Sequence, residues 1–295
     1  MRNSERGFLL LTSHLGDPES KPLTVAQFRT LINRVKTMQR YEEERELTRK
    51  DLMSIGYGAD EVGRILQLLS RQDQLEYYVN RAAKTDCYPI TRISPLYPAS
   101  LRERLGVDCP GCLWAKGDSS LLARPMIALV GSRELEPDNM AFAREAGRQA
   151  ALQGYVLLSG NARGADRAAQ DSCLENGGQV VSIVADSLEK CKDTPGVLYL
   201  SEDSFDFPFS TIRALSRNRL IHAMGTLTLV AQCTYGKGGT WSGTVQNLRH
   251  GWSPVFCYAD GSKAAIALSN MGAIPIATDT LSDFGSLKPA EMNFL

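Results

Sequence analysis

Three stretches of this 295-residue chain hold the residues best suited to chemistry: Gly131-Ser132-Arg133, Ser159-Gly160-Asn161-Ala162-Arg163-Gly164 and Gly236-Lys237-Gly238-Gly239-Thr240. Glycines let an anion approach backbone N–H groups, hydroxyls add donors, and each stretch carries an arginine or lysine to pair the charge. Each follows a short apolar run: Met126–Val130, Val156-Leu157-Leu158 and Leu227–Ala231. Gathered at the carboxyl edge of one sheet, where helix N-termini offer free N–H groups, they would form an anion site. A fourth cluster, Arg217-Asn218-Arg219, sits in a segment that reads as helical. Residues two apart on a helix point about 200° from each other, so the two arginines are predicted to do different jobs. They either meet an anion or divide into a surface charge and an ion pair with Asp203 or Asp206.

Bond-making machinery is not found beside them. Gly131 is followed by acidic and proline residues instead of the further glycines of a dinucleotide fingerprint, and Gly236–Thr240 lacks the glycine spacing of a Walker A loop. His14, His222 and His250 are the only histidines, and no serine stands in a nucleophile elbow, so no residue is assigned a catalytic role. Cys109-Pro110-Gly111-Cys112 has the spacing of a zinc or redox pair, yet Cys87 is the only nearby third ligand, and neither a metal nor a cofactor is expected. Lysine plus arginine and aspartate plus glutamate both number 33, so attraction to an anion must be local. No segment reaches the roughly 20 apolar residues of a membrane span. The run Phe8-Leu9-Leu10-Leu11 is too short for a signal peptide and reads as a first helix, and seven unframed cysteines suit a reducing compartment, so a cytoplasmic location is expected.

The elements that position these residues follow from periodicity. Val25, Phe28, Leu31, Ile32 and Val35 recur at helix spacing behind Thr24 as a cap, and Leu52–Leu69 continues the pattern. Ser54–Gly58 reads as a tight turn, either a plain helix connection or a helix-hairpin-helix-like contact with nucleic-acid backbone. The charge run Tyr41–Lys50 reads as a solvated helix face. Pro89, Pro95 and Pro98 predict a linker near Asp86, which gives a small all-helical domain over 1–86 and a second domain over 87–295. In the second, apolar runs at Met126–Val130, Val156–Leu158, Val180–Val184, Val197–Leu200, Leu227–Ala231 and Val255–Tyr258 are separated by helical stretches, among them Trp241–Arg249. This alternation predicts an α/β fold with a mostly parallel, doubly wound, Rossmann-like sheet.

Several motifs in fixed order complete the reading. Tyr97-Pro98 with Leu101 and Leu105, Ala115-Lys116-Gly117-Asp118, Val130-Gly131-Ser132-Arg133, Ser159-Gly160 with Ala162, Gly164 and Asp166, Gly177-Gly178, and Arg217-Asn218-Arg219 with Leu220-Ile221 resemble the DprA/Smf family over residues 90 to about 277. The resemblance implies a homodimer that binds single-stranded DNA, with Gly131, Ser132, Arg133 and Arg217-Asn218-Arg219 near its backbone, and hands it to a RecA-type recombinase. Asn161 stands where that family has an apolar or glycine residue, Gln170 where it has histidine, and Lys237–Trp241 in place of a Ser-Gly-Ser stretch. The last of these is more similar to the wider lysine-decarboxylase-like superfamily, whose phosphoribohydrolases carry a glutamate after the glycine loop; Ser242-Gly243-Thr244-Val245 follows here. No winged-helix domain is expected, since the chain ends soon after Phe284. The leading expectation is a DNA-binding protein that is not an enzyme, and the alternative is a nucleotide-sensing or nucleotide-processing protein using Gly238-Gly239-Thr240. Phe205, Phe207 and Phe209 are either base-stacking platforms or core residues.

Overall fold

The computed structural model describes residues 1–17, 19–38, 46–202 and 204–288. Asp203 and the segment 41–45 of the charge run lie outside them. Helices α1 (Asn3–Thr12), α2 (Val25–Val35), α3 (Arg49–Ser54), α4 (Ala59–Leu69) and α5 (Gln72–Ala83) come first. Thr24 caps α2 as expected, accepting a hydrogen bond from Gln27 N while the Gln27 side chain accepts one from Thr24 N. The first four of these helices share a small core of Leu11, Leu31, Leu52, Val62, Ile65 and Leu68. In the turn between α3 and α4, Arg34 donates to the Gly56 carbonyl at 3.1 Å and lies 4.5 Å from the centre of the Tyr57 ring. Asp60 and Glu61 already face the dipole in the first turn of α4, which suits a helix connection better than an anion contact.

Beyond α5 the chain alternates: β1 (Cys87–Thr91), α6 (Ala99–Leu105), β2 (Cys112–Lys116), β3 (Met126–Val130), α7 (Pro137–Leu152), β4 (Val156–Ser159), α8 (Ala165–Glu175), β5 (Gln179–Val184), β6 (Val197–Glu202), α9 (Thr211–Met224), β7 (Leu227–Val230), α10 (Gly238–His250), β8 (Val255–Tyr258), α11 (Lys263–Asn270) and β9 (Ile274–Ile276). Among the described residues the strands form one nine-stranded sheet in the order β1-β2-β6-β5-β4-β3-β7-β8-β9. All neighbours from β6 to β9 are parallel, while β1 and β2 are added antiparallel at one edge. The α/β, mostly parallel fold read from the sequence is therefore the fold of the chain.

One strand, β1, was hidden in the expected linker, and a second, β2, lies between it and the first expected strand. Pro89 lies within β1 opposite Trp114, a place open to proline because β1 is an edge strand with no ladder on its outer side. Alternation along β3 sends Ile127 and Leu129 into the core under α7, α8, α1 and α5, and Met126, Ala128 and Val130 into the core under α6, α9 and α11. Two cores on two faces make the sheet doubly wound. Leu9, Leu10, Leu75 and Tyr78 from α1 and α5 belong to the first of these cores, so the N-terminal helices cover one face of the sheet. No helix among the described residues is long and apolar enough to cross a membrane.

Candidate functional site

From β3 the chain winds outward through β4, β5 and β6, then returns to place β7 on the other side of β3. Loops leaving β3 and β7 therefore part from one another at their carboxyl ends, the place where open α/β sheets hold ligands. A cleft of about 460 Å³ opens there. It brings together Gly131, Ser132 and Arg133 from the β3 loop, Arg217 and Asn218 from α9, and Lys237, Gly238, Gly239 and Thr240 from the start of α10. The remaining sequence-selected residues, Ser159, Gly160, Arg163, Gly164 and Arg219, do not line it.

The stretch Gly238–Thr240 forms the first turn of α10, which begins three residues before the expected Trp241. Glycines weaken a sequence signal for helix, but here Lys237 is the N-cap and its side chain makes no capping bond. The turn is fixed on both sides: Thr240 Oγ1 donates to the Gly131 carbonyl at 2.9 Å, and Asn218 Nδ2 donates to the Gly239 carbonyl at 3.1 Å. The N-terminal dipole end of a 13-residue helix thus faces the cleft between Arg133 and Lys237, both exposed.

Other residues build the support. Ser159 and Gly160 are buried, Gln170 Nε2 donating to Ser159 Oγ at 2.7 Å and to the Gly160 carbonyl, so Gln170 fills the position with a neutral donor. A side chain at Gly160 would run into the Arg217 guanidinium. Gly164, at φ +81°, packs beneath the Ser132 and Arg133 carbonyls, where an added Cβ would meet both oxygens at 2.5 Å. Arg163 pairs with Glu134 at 3.1 Å on the open surface.

The two arginines of α9 do diverge, and among the described residues their partners do not include Asp206. Arg217 turns inward, donating from Nη1 to the Ile183 carbonyl at 3.0 Å and lying 3.8 Å from Asp166. Burial pushes the Asp166 carboxyl above its usual range despite that cation, and burial likewise lowers Arg217. Arg217 Nε has no hydrogen-bond partner among the described residues. Arg219 points the other way, to Glu202 and to the Asp108 carbonyl. Asp206 is held by Tyr78 Oη at 2.6 Å and by Arg81.

Sequence reasoning missed part of the lining. Thr211, Ala214, Leu215, Ile221 and His222 face the cleft beside Asn218. Their spacing of three and four is one stripe of α9, a signal that was available once Asn218 had been singled out. His222 is fully buried, and burial pushes its pKa down to about 3, so it stays neutral. Asn247 accepts from Ser253 N through Oδ1 at 2.9 Å and so turns its Nδ2 to His222 Nδ1 at 3.2 Å, which assigns the proton to Nε2. Among the phenylalanines, Phe205 is core, tilted against Tyr78 and Trp114, whereas Phe209 is 51% exposed and lines the cleft. Ile212 and Leu215, 80% and 48% exposed, continue that apolar lip. Cys109 and Cys112 belong to opposite cores of the sheet, which separates the pair, and no three metal-ligating side chains cluster among the described residues.

Comparison with known proteins adds relatives in sequence and in fold. The family model of DNA recombination-mediator protein A matches residues 89–260. The DNA processing protein DprA of Streptococcus pneumoniae is 34% identical over 104 residues, a match that spans 35% of this chain and 33% of that relative. The crystal structure of DprA from Streptococcus pneumoniae superposes with a TM-score of 0.71 at 22% identity, covering 98% of this chain and 99% of that one. DNA processing protein A from Helicobacter pylori, whose structure is described for its single-stranded DNA binding mode, superposes with a TM-score of 0.56 at 24% identity over 66% of this chain and 94% of that one. At such identities the two structures share the fold.

Proposed function

The chain belongs to the DNA recombination-mediator protein A family, and on that premise we propose that its cleft grips the backbone of single-stranded DNA without catalysing a reaction on it. One observation carries the reading: cationic and apolar groups meet in a single cleft. Arg133, Lys237 and the first turn of α10 suit a phosphate, while Phe209 and Leu215 on the facing wall suit a flat apolar group. A strand with unpaired bases offers both at once, whereas a duplex keeps its bases stacked inside. The binding mode described for the Helicobacter pylori protein supports the same ligand. Gly131, Ser132, Arg133 and Lys237–Thr240 are the contacts proposed, with Arg217, Gly160, Gly164 and Ser159 holding them in place. A role as a homodimer that protects the strand and passes it to a RecA-type recombinase extends this proposal to partners.

Fluorescence anisotropy with one sequence, offered as a single strand and as a duplex, tests it. The single strand is expected to bind at least about tenfold more tightly, the equivalent of about 1.4 kcal/mol. Equal affinity would overturn the reading. The cleft volume also falls within the range of small-ligand sites, which favours a free nucleotide as second reading. A melting-temperature rise with nucleoside monophosphates and none with oligonucleotides would establish it instead.

A further inference from the structure

Beside the cleft, outside its lining, stands a second aromatic surface. Thr234–Lys237 forms a tight turn, closed by a bridge between Thr234 and Lys237, with Lys237 N donating to the Thr234 carbonyl at 3.2 Å and Gly236 at φ +70°. The turn presents Tyr235, 45% exposed, as one of the large side chains the fold leaves in water. Its ring is not loose. Trp241, from the first turns of α10, meets it edge to face at 5.0 Å between ring centres, and Lys263 at the start of α11 places its ammonium 4.2 Å from the ring centre. Three elements therefore brace an aromatic side chain that serves no core.

Its surroundings indicate what it meets. Thr234 and Lys237, which flank it, and Gly238 beyond line the phosphate cleft, and Phe209 and Leu215 stand on the α9 wall. We propose that Tyr235, braced by Trp241 and Lys263, is a nucleobase platform on the α10 side of the cleft, taking the base next to the phosphate held inside. This rests on the single-strand reading above and adds a second contact to it. Stacking is tolerant of base identity because every base has a π-face, so the platform adds affinity with little sequence preference. Lys263 is placed to exchange its hold on the ring for the next phosphate along the strand. A strand gripped by phosphate in the middle and by aromatic surfaces on both walls is held along its length and not only at one point.

The test uses the full chain and two ligands of equal length: oligothymidylate and an abasic deoxyribose-phosphate oligomer. Tyr235→Ala is expected to weaken oligothymidylate binding roughly 5- to 150-fold, the effect of one stacked base, and to leave the abasic ligand unchanged. Tyr235→Phe, which keeps the ring, should restore wild-type binding. Trp114 and Trp252 are buried, so a fluorescence change on binding oligothymidylate reports Trp241, and Trp241→Phe should remove it. The abasic ligand should leave Trp241 emission unaltered. Loss of affinity for both ligands alike, or for neither, in Tyr235→Ala overturns the platform while the cleft reading stands. Failure of the wild-type protein to bind either ligand overturns both.

Discussion

At the scale of single residues, burial divides the basic side chains of the cleft into exposed ones, open to the proposed ligand, and one held in the floor. Arg133 is exposed and Arg217 is buried against Asp166, although both came from glycine- or asparagine-flanked motifs of similar look. Arg133→Ala is therefore expected to lower affinity for every single-stranded sequence alike, since a phosphate contact does not read bases, and to leave the melting temperature unchanged. Arg217→Ala leaves a buried carboxylate without its cation and should destabilise the fold by about 3–5 kcal/mol. Melting curves and binding isotherms of the two variants check this pair. Equal stability of both would return Arg217 to the ligand. Which arginine does which job was not legible, because the deciding partner, Asp166, lies 51 positions away in the chain and on another helix.

At the scale of elements, the cleft depends on how closely the β3 loop lies over the start of α8. Gly164 sets that distance, with its positive φ and two carbonyl oxygens where a Cβ would go. Gly164→Ala should cost about 2 kcal/mol or more in a urea melt and should weaken binding of oligonucleotides as well, because the displaced oxygens belong to Ser132 and Arg133. A variant stable but poor in binding would mean that the loop yields; one unaltered in both would remove Gly164 from the site's support. The elements themselves were largely legible: six short apolar runs with helices between them gave the parallel sheet. What escaped were β1, disguised by an edge proline, β2, β9, and the first turn of α10, disguised by its glycines. In each, tertiary placement outweighed local propensity.

At the scale of the whole molecule, equal numbers of acidic and basic residues leave no long-range pull on a polyanion. Several cations are also engaged, Arg163 by Glu134 and Arg219 by Glu202. If Arg133, Lys237 and Lys263 are the ones left for phosphates, affinity for a single strand should fall with log salt at a slope of about 2, from about 0.7 per phosphate. Losing any one of the three should lower the slope by about 0.7, while Arg249→Ala, on the exposed last turn of α10, should not move it. A slope several times larger, measured by titration from low to moderate salt, would require a basic surface that the fold does not present in the cleft.

The return of β7 to the flank of β3 also governs how the chain is made. Ile127 pairs with Leu227, about 100 residues later. While a ribosome adds roughly 5–20 residues per second, β3, β4, β5 and β6 can assemble, yet one edge of β3 waits about 5–20 s for its neighbour. An apolar strand, Met126-Ile127-Ala128-Leu129-Val130, stays unpaired on that side for the whole interval. The edge is the natural place for a nascent chain to join another copy, or for a chaperone to sit. Slowing synthesis just upstream of Leu227 should therefore lower soluble yield, even though the finished protein is unchanged.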